Sequence, residues 1–314
     1  MSTPLSRSEI VKILIVSAML LVLNSHATGG NKPKVSVNLQ SMGLHPRFQN
    51  HNGSRSCKFR SLVYRSVGWT DEHRVLVAFN STPECSSTSG TFGGKLKIAV
   101  LDTSGKLERS IDLPYESEWI DRVSLLVNGG VSMRRDGTAV VELKQLDLRS
   151  GRTLKLLVLS PELSVIQEVQ PDSPATFADP TSDREGVAFW QSSRCRLYRG
   201  KPLRAVGDCS EKELLSESLL GKHVNSPFLE GYTTYDWSAA DTGRVVVLGY
   251  KSNGICSDLG FFCPSDGMLF VFEVPDRSPV FKLKVSAAAA AALSPSGKNL
   301  AIMQRGVLEI LPLP

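Results

Sequence analysis

Short apolar strands, each preceded by a small polar turn, recur along the chain. The five clearest runs are Val75–Phe79, Ala139–Leu143, Gly186–Trp190, Val245–Gly249 and Leu300–Gln304. The turns before them are rich in Asp, Gly and Ser. These residues suit tight turns because glycine accepts a positive φ and Asp or Ser bonds the local backbone. The recurrence predicts a repeated β unit along most of the chain.

Further hairpins complete this unit. The stretch "KLKIAVLDTSGKLERSIDL" predicts two strands, Lys95–Leu101 and Leu107–Leu113, joined by a turn at Asp102–Gly105. Similar hairpins turn at Ser160–Glu162, Gly200-Lys201 and Pro275–Ser278. Each repeat therefore reads strand, turn, strand, loop, strand, turn, strand, and four antiparallel strands form one blade of a β-propeller.

The spacing of the repeats bears on the number of blades. The strand starts at 75, 139, 186, 245 and 300 are separated by 64, 47, 59 and 55 residues, a mean of about 56. Five such units fill most of the chain after residue 27, so we predict an all-β propeller with five four-stranded blades. These steps exceed the roughly 40–50 residues usual for a blade, so six or seven blades, with one degenerate copy, are the alternative.

The two ends of the chain predict how the ring closes. The last repeat supplies Ala287–Leu293, Leu300–Gln304 and Val307–Leu311 and is then one strand short. Near the other end, "KPKVSVNLQS" alternates apolar and polar residues like a half-buried strand. Pairing of this N-terminal strand with Val307–Leu311 would complete the last blade and remove two open edges. The alanine run would then be an innermost strand, and a short helix is its alternative because alanine is the best helix former.

The first 27 residues have the features of an export signal. Arg7 and Lys12 give a positive start, Ile13–Leu23 is an apolar run, and Ser25-His26-Ala27 suits a signal peptidase. As a helix the apolar run would measure about 16 Å, roughly half the hydrocarbon thickness of a bilayer. We therefore expect residues 1–27 to be removed on export. Residues 28–314 would form a single propeller domain, periplasmic or extracellular, without a membrane span.

Charge and cysteine content narrow the classes of partner. The formal net charge is +5, and the basic residues are scattered among 31 acidic ones, which argues against nucleic-acid binding. All six cysteines follow the signal, and an even number in an oxidising compartment favours disulfides. No CxxC pair occurs and the five histidines lack ligand spacing, so we expect no metal and no cofactor.

One stretch resembles a known group of repeats. "LSPSGKNLA", Leu293–Ala301, is similar to the repeat signature of secreted bacterial propellers of the TolB and WD40-like group. The usual signature is Ser-Pro-Asp-Gly-Lys followed by Leu-Ala, and here Ser296 occupies the Asp position. "RRDGTAVVEL" is a looser copy without the Ser-Pro. The resemblance implies a propeller fold and carries no catalytic residues with it.

The lengths of the connections distinguish the two faces of the predicted propeller. Loops between strands 2 and 3, and between successive blades, lie on one face, which we call the long-loop face. The two hairpin turns within each blade lie on the opposite, short-turn face. The long segments, 41–60, 80–94, 208–231 and 250–267, all fall on the long-loop face. Insertions gathered on one face of a repeat protein often mark its binding face.

The cysteines are predicted at the same face. Their positions favour pairing in sequence order, as Cys57–Cys85, Cys195–Cys209 and Cys256–Cys263. Six cysteines allow 15 connectivities, so the sequence leaves this pairing open.

Aromatic and charged residues of the long-loop face are the candidate ligand-binding residues: His45, Arg47, Tyr115, Glu118, Trp119, Tyr232, Phe261 and Phe262. Exposed aromatic side chains with a few charges suit a protein or glycan partner. The alternative is that the aromatic residues pack beneath the loops as ordinary core.

Two functions are compatible with these features. The favoured one is a non-catalytic exported propeller that binds a protein or a glycan. The alternative is a carbohydrate-active hydrolase or lyase with acidic residues around the central funnel, for which Glu118, Asp172 and Asp179 are candidates. The sequence has no Gly-x-Ser-x-Gly nucleophile elbow. Four further carboxylates lie in the recurring turns, where we interpret them as turn formers: Asp71, Asp136, Asp183 and Asp241.

Overall fold

We describe a computed structural model of the chain. It describes residues 33–44, 67–80, 95–116, 125–146, 151–170, 177–181, 183–191, 194–210, 233–255, 262–273, 279–286, 289–304 and 306–314. These residues form five antiparallel sheets of four strands each, arranged as the blades of a propeller, and one short 3-10 helix at Gln40–Met42. The predicted all-β fold with five blades is therefore confirmed.

The first three blades follow one another along the chain. Blade 1 contains β2 (Val67–Trp69), β3 (Arg74–Asn80), β4 (Lys95–Asp102) and β5 (Leu107–Glu116). Blade 2 contains β6 (Leu125–Met133), β7 (Ala139–Leu146), β8 (Gly151–Leu159) and β9 (Val165–Val169). Blade 3 contains β10 (Phe177–Pro180), β11 (Gly186–Gln191), β12 (Arg194–Arg199) and β13 (Arg204–Asp208). In each blade the first strand in sequence is the innermost and the fourth is the outermost.

The last two blades differ in how they are completed. Blade 4 contains β14 (Thr233–Ala239), β15 (Arg244–Ile255), β16 (Phe262–Glu273) and β17 (Pro279–Val285). Blade 5 contains β18 (Ala290–Leu293), β19 (Asn299–Gln304), β20 (Val307–Pro312) and, from the other end of the chain, β1 (Val35–Asn38). All five repeated strands predicted from the sequence are thus second strands of their blades.

The N-terminal strand closes the ring as predicted. In the register of β1 on β20, Val35 is opposite Ile310 and Val37 is opposite Leu308. Backbone hydrogen bonds extend the pairing at both ends, from Lys34 N to Ile310 O at 2.8 Å and from Leu39 N to Gly306 O at 2.9 Å. The edge of blade 5 is therefore covered by a strand that lies about 270 residues away in sequence.

The alanine run forms an innermost strand, as predicted, rather than a helix. Ala290, Ala291 and Ala292 belong to β18 and are almost fully buried. The Trp69 indole Nε1 of blade 1 donates a hydrogen bond to the Ala292 carbonyl at 3.0 Å. Small side chains are suited to this position because the inner strands converge near the axis. Tertiary packing therefore overrides the helix propensity of alanine.

Apolar side chains from adjacent blades pack together to form most of the core. One cluster, for example, combines Val75 and Leu101 of blade 1 with Ala301 and Leu308 of blade 5. Three other clusters join blades 1 and 2, blades 2 and 3, and blades 4 and 5 in the same way. Blades 1, 2 and 5 thus bury both faces against their neighbours, which explains the nearly continuous apolar runs of their second strands.

Two strands are longer than the sequence predicted. We expected residues 250–267 to be a loop, but the β15–β16 ladder continues to the pair formed by Ile255 and Phe262. Bulges interrupt the ladder near Ser252, and the residues here are polar or include proline. Strand propensity is therefore weak, and backbone pairing extended from the buried part of the blade decides the structure.

Candidate functional site

The strand order fixes the direction in which each connection leaves a blade. Segment 80–94 joins a second to a third strand, and so does segment 250–267, of which residues 250–255 and 262–267 belong to the strands themselves; segments 41–60 and 208–231 join successive blades. Antiparallel order places all four connections at the same end of the strands, because that end is opposite the hairpin turns. The long-loop face is therefore one face of the propeller, as predicted.

Two of the predicted binding residues belong to strands. Tyr115 is the second-last residue of β5, and Phe262 is the first residue of β16. Both residues are therefore at strand ends next to the long-loop face. The remaining predicted binding residues lie outside the described residues: His45, Arg47, Glu118, Trp119, Tyr232 and Phe261. Of the three candidate carboxylates, Asp179 is in β10, and Glu118 and Asp172 lie outside the described residues.

One predicted disulfide is present at this end of blade 3. Cys195 in β12 is bonded to Cys209, which directly follows β13, and their Cα atoms are 5.3 Å apart. The backbone of the pair is also linked, because Cys209 N donates to Cys195 O at 3.0 Å. The bond therefore fixes the start of segment 208–231 to the sheet. Cys263 lies in β16, and Cys57, Cys85 and Cys256 lie outside the described residues.

The innermost strands of all five blades enclose a narrow axial cavity. Its volume is about 30 Å³, and its lining includes Trp69, Met133, Pro180, Trp237 and Ala292. This volume holds about two water molecules and is far below the several hundred Å³ typical of a ligand site. The described part of the axis is thus a packed core with room for water.

The short-turn face is a network of hydrogen bonds between blades. The Ser296 amide and hydroxyl of blade 5 both donate to the Glu72 carboxylate of blade 1, the hydroxyl at 2.8 Å. Asp241 N of blade 4 donates to Pro295 O at 2.9 Å, and Arg135 N of blade 2 donates to Arg184 O at 3.1 Å. Polar groups of these turns are therefore largely engaged within the protein.

Three of the four turn carboxylates act as predicted. Asp71 accepts from the His73 amide at 2.8 Å, and Asp183 accepts from the Glu185 amide at 3.0 Å. Asp136 accepts from the Thr138 amide at 3.0 Å and from the Thr138 hydroxyl at 2.6 Å. These contacts close the turns and leave the carboxylates in structural roles.

Asp241 and Arg184 form a different arrangement. The Arg184 side chain is nine-tenths buried, has a left-handed φ of 57°, and its Nε lies 3.4 Å from Asp241 Oδ1. Burial lowers the pKa of Arg184 from its ordinary value, while the Asp241 carboxylate opposes this effect. Arg184 and Glu72 were not among the residues predicted from the sequence. The signal available was that charged residues directly follow Asp71 and Asp183 in the recurring turns.

The described ranges contain neither a metal-binding cluster nor a membrane-spanning helix. There, no group of three or more His, Cys, Asp or Glu side chains is placed to hold a metal ion. Likewise, none of the helical structure in these ranges is long and apolar enough to cross a bilayer.

Comparisons with known proteins add little to the geometry. No protein-family model matches the chain, and no curated protein sequence matches it. Among solved structures, the Cps50 (Swd1) β-propeller domain of Myceliophteria thermophila aligns at 12% identity and a TM-score of 0.33, over 88% of each chain. The glutaminyl cyclase of Myxococcus xanthus aligns at 9% identity and a TM-score of 0.38, over 80% of this chain and 91% of that one.

A third solved structure has a similar degree of likeness. A chain of a mitotic checkpoint complex aligns at 8% identity and a TM-score of 0.31, over 91% of this chain and 96% of that chain. All three TM-scores are below 0.5, so the assignment to a five-bladed propeller rests on the strand order of this chain itself.

Proposed function

We propose that the protein is an exported, non-catalytic propeller that binds a protein or a glycan through its long-loop face. A β-propeller is well suited to binding and scaffolding because many loops from a rigid ring converge on one surface. Removal of residues 1–27 would leave residues 28–314 in the periplasm or outside the cell. The "LSPSGKNLA" stretch supports a relationship to secreted bacterial propellers of the TolB and WD40-like group.

The distribution of connections between the two faces carries this proposal. All four predicted long segments leave the blades at one face, although the β15–β16 ladder takes up residues 250–255 and 262–267 of one of them. On the other face the described turns are short and are bonded to one another between blades. A long-loop surface of this kind can adapt to a partner while the blades beneath it stay unchanged.

The disulfide of blade 3 supports the same interpretation. The Cys195–Cys209 bond attaches the beginning of segment 208–231 to the sheet. A loop held in place before binding loses less conformational entropy when it meets a partner.

The long-loop face can be tested once a partner has been captured by pull-down or on a glycan array. Trp119→Ala and Phe261→Ala should each weaken binding by about 1–2 kcal/mol if these aromatic residues are contact residues. The control variants, Asp136→Asn and Asp241→Asn, alter turns of the opposite face. They should change stability and leave affinity for this partner intact. If the control variants lost binding while the aromatic variants kept it, the partner would bind the short-turn face and the proposal would be wrong.

Export is tested separately from binding. The full chain should be recovered from a periplasmic or extracellular fraction with an N-terminus at residue 28, as measured by N-terminal sequencing. Recovery of the uncleaved chain from the cytoplasm would contradict the predicted signal while leaving the binding face to be tested on its own.

A carbohydrate-active enzyme is the second candidate. Of the candidate carboxylates Glu118, Asp172 and Asp179, Asp179 lies in β10, an innermost strand beside the propeller axis. Glycoside hydrolysis commonly uses two carboxyl groups about 5–10 Å apart. Release of reducing sugar from a polysaccharide panel, abolished in Asp179→Asn or Glu118→Gln, would favour this function over simple binding. Glycan retention without product would favour binding.

A further inference from the structure

A groove on the short-turn face lies between the turns of blades 2 and 3. Its volume is about 400 Å³, within the range of small-molecule sites. Eight residues line it: Arg134, Arg135, Asp136, Arg184, Glu185, Arg199, Gly200 and Lys201. Five of these side chains are cationic and two are acidic, so the lining has a formal charge of +3.

Neighbouring carboxylates offset part of this charge. Asp183 accepts from Arg199 Nη1 at 2.7 Å, and Asp241 lies 3.7 Å from Arg135 and 3.4 Å from Arg184. Both acidic groups are just outside the groove lining. When the carboxylates within ion-pair distance of the groove's cations are counted with it, an excess of one positive charge remains; Glu72 also acts on Arg184, but from beyond ion-pair distance, and its carboxylate accepts from the Ser296 amide and hydroxyl. The groove therefore has one more positive charge than the carboxylates around it can neutralise.

The two most buried arginines of the groove are incompletely bonded. Nε of Arg134 and Nε of Arg184 are buried and make no hydrogen bond in the part of the chain described. Arg134 Nη2 donates to Glu185 O at 2.9 Å, whereas the Asp241 carboxylate lies at ion-pair distance from Arg184 without forming a hydrogen bond. Burying a cation with an unmet donor is costly unless another anion compensates it.

Two of the three remaining cations of the groove are accessible, whereas Arg199 is 25% exposed and bonded to Asp183. The Arg135 and Lys201 side chains are 55% and 69% exposed, so a ligand can reach them without unfolding the turns. Lys201 Nζ lies 2.6 Å from Asp136 Oδ2, and Arg135 lies 4.0 Å from Glu185, the longest ion pair of the groove. Arginine guanidinium groups match the oxygen geometry of carboxylates and phosphates.

We propose that this groove binds a small anionic ligand through one phosphate or carboxylate group. Arg184 lies at the buried side of the site and Arg135 and Lys201 lie at its open side. The excess positive charge matches one anionic group, and the volume suits a small molecule. The site is on the face opposite the long loops, so it is independent of the partner proposed above.

The test is titration calorimetry of the mature protein at low ionic strength, where charge interactions are least screened. Inorganic phosphate and succinate are titrated separately, so that the result distinguishes a phosphate site from a carboxylate site. The double variant Arg135→Gln/Lys201→Gln should bind the preferred anion at least about tenfold more weakly, because charge-assisted hydrogen bonds are lost. Arg196→Gln, which removes an exposed arginine of blade 3 outside the groove, should change the affinity by less than about twofold.

A buried-side variant completes the experiment. Arg184→Gln should also weaken binding, and its thermal unfolding is measured in parallel because the change could destabilise the turn. If Arg184→Gln does not fold, the exposed double variant still decides the result. Absence of binding to both anions, or binding that the double variant leaves unchanged, would overturn the proposal. Equal weakening by Arg196→Gln would mean general charge attraction and would overturn it as well.

Discussion

Single side chains of the short-turn face hold neighbouring turns in place. Asp136 is the clearest example, since its carboxylate bonds Thr138 and lies 2.6 Å from the Lys201 ammonium. Burial alone would raise the pKa of Asp136, but Lys201 and the Thr138 hydroxyl and amide outweigh it and lower the pKa to about 2. A turn that depends on an ionised carboxylate should be sensitive to acid.

We predict the sign of this dependence. The folded pKa of Asp136 is below its unfolded value, so its contribution to stability is fully present above about pH 4 and is lost as the pH falls toward 2. Asp136→Asn should therefore be less stable than the wild type at neutral pH. It should also lose less unfolding free energy between about pH 4 and 2, measured by denaturant titration. Asp208→Asn, at a carboxylate that is 86% exposed, serves as the control. If the unfolding free energy of this variant depended on pH as weakly as that of Asp136→Asn, the assignment to Asp136 would be wrong.

Gly105 offers a residue-scale test of ring closure. It has a φ of 87°, and a Cβ placed there would lie 2.3 Å from Val37 Cγ2 in β1. Gly43 also has a positive φ, 74°, but a Cβ there would have no neighbour within 4 Å. Gly43→Ala should cost about 1–2 kcal/mol of stability for its backbone alone. Gly105→Ala should cost at least about 1 kcal/mol more, because it also overpacks against Val37.

Equal losses in the two variants, measured by chemical denaturation, would mean that the turn of blade 1 does not press against β1. The comparison is matched because both changes add one methyl group at a left-handed glycine.

At the scale of strands, the disulfide links the third and outermost strands of blade 3. The outermost strand β13 is short and most of its residues are exposed, so few apolar contacts hold it. The cross-link therefore supplies stability that packing does not. Since Cys195 and Cys209 are 14 residues apart, the chain-entropy model gives about 3 kcal/mol for the bond.

We expect the double variant Cys195→Ala/Cys209→Ala to lose about 3 kcal/mol of unfolding free energy. Non-reducing peptide mapping should recover Cys195–Cys209, and we also predict Cys57–Cys85 and Cys256–Cys263 from their order in the sequence. A free thiol, or a crossed pair among the six cysteines, would contradict the predicted connectivity. Unchanged stability of the double variant would mean that the cross-link is not formed in solution.

At the scale of the whole molecule, one strand decides whether the ring is closed. Leu39, next to β1, is fully buried in the cluster between blades 5 and 1, and Val35 and Val37 pack against that cluster. Burying a leucine side chain contributes about 2 kcal/mol on its own. Loss of the strand would also leave the backbone groups of β20 unpaired along an open edge.

Deletion of residues 28–40 should therefore lower the unfolding free energy by several kcal/mol and promote aggregation. A mature chain that lacks only residues 28–32 keeps β1 and serves as the control. Thermal unfolding and light scattering measure both effects. Indistinguishable melting of the two truncations would show that blade 5 is stable without its outermost strand.

The sequence by itself determined the repeated part of this protein. Second strands such as Val75–Phe79, the turn roles of Asp71 and Asp136, and the pairing of β1 with the last blade were all predictable. Strand periodicity and turn formation depend on residues only a few positions apart, so the sequence shows them directly. The N-terminal strand was predictable because the last repeat is one strand short. The continuation of β15 and β16 was not predictable, because pairing rather than propensity extends those strands.

The tertiary structure alone decided how distant turns meet. Glu72 and Ser296 are 224 residues apart, yet they bond across the junction of blades 1 and 5. The approach of Arg184 to Asp241, and the groove beside Arg135, likewise depend on the angle between neighbouring blades. No short-range pattern encodes these contacts, since each is made by residues whose local sequences need only form a turn. Closure of the five-bladed ring brings the turns together, and their charged side chains then interact with one another.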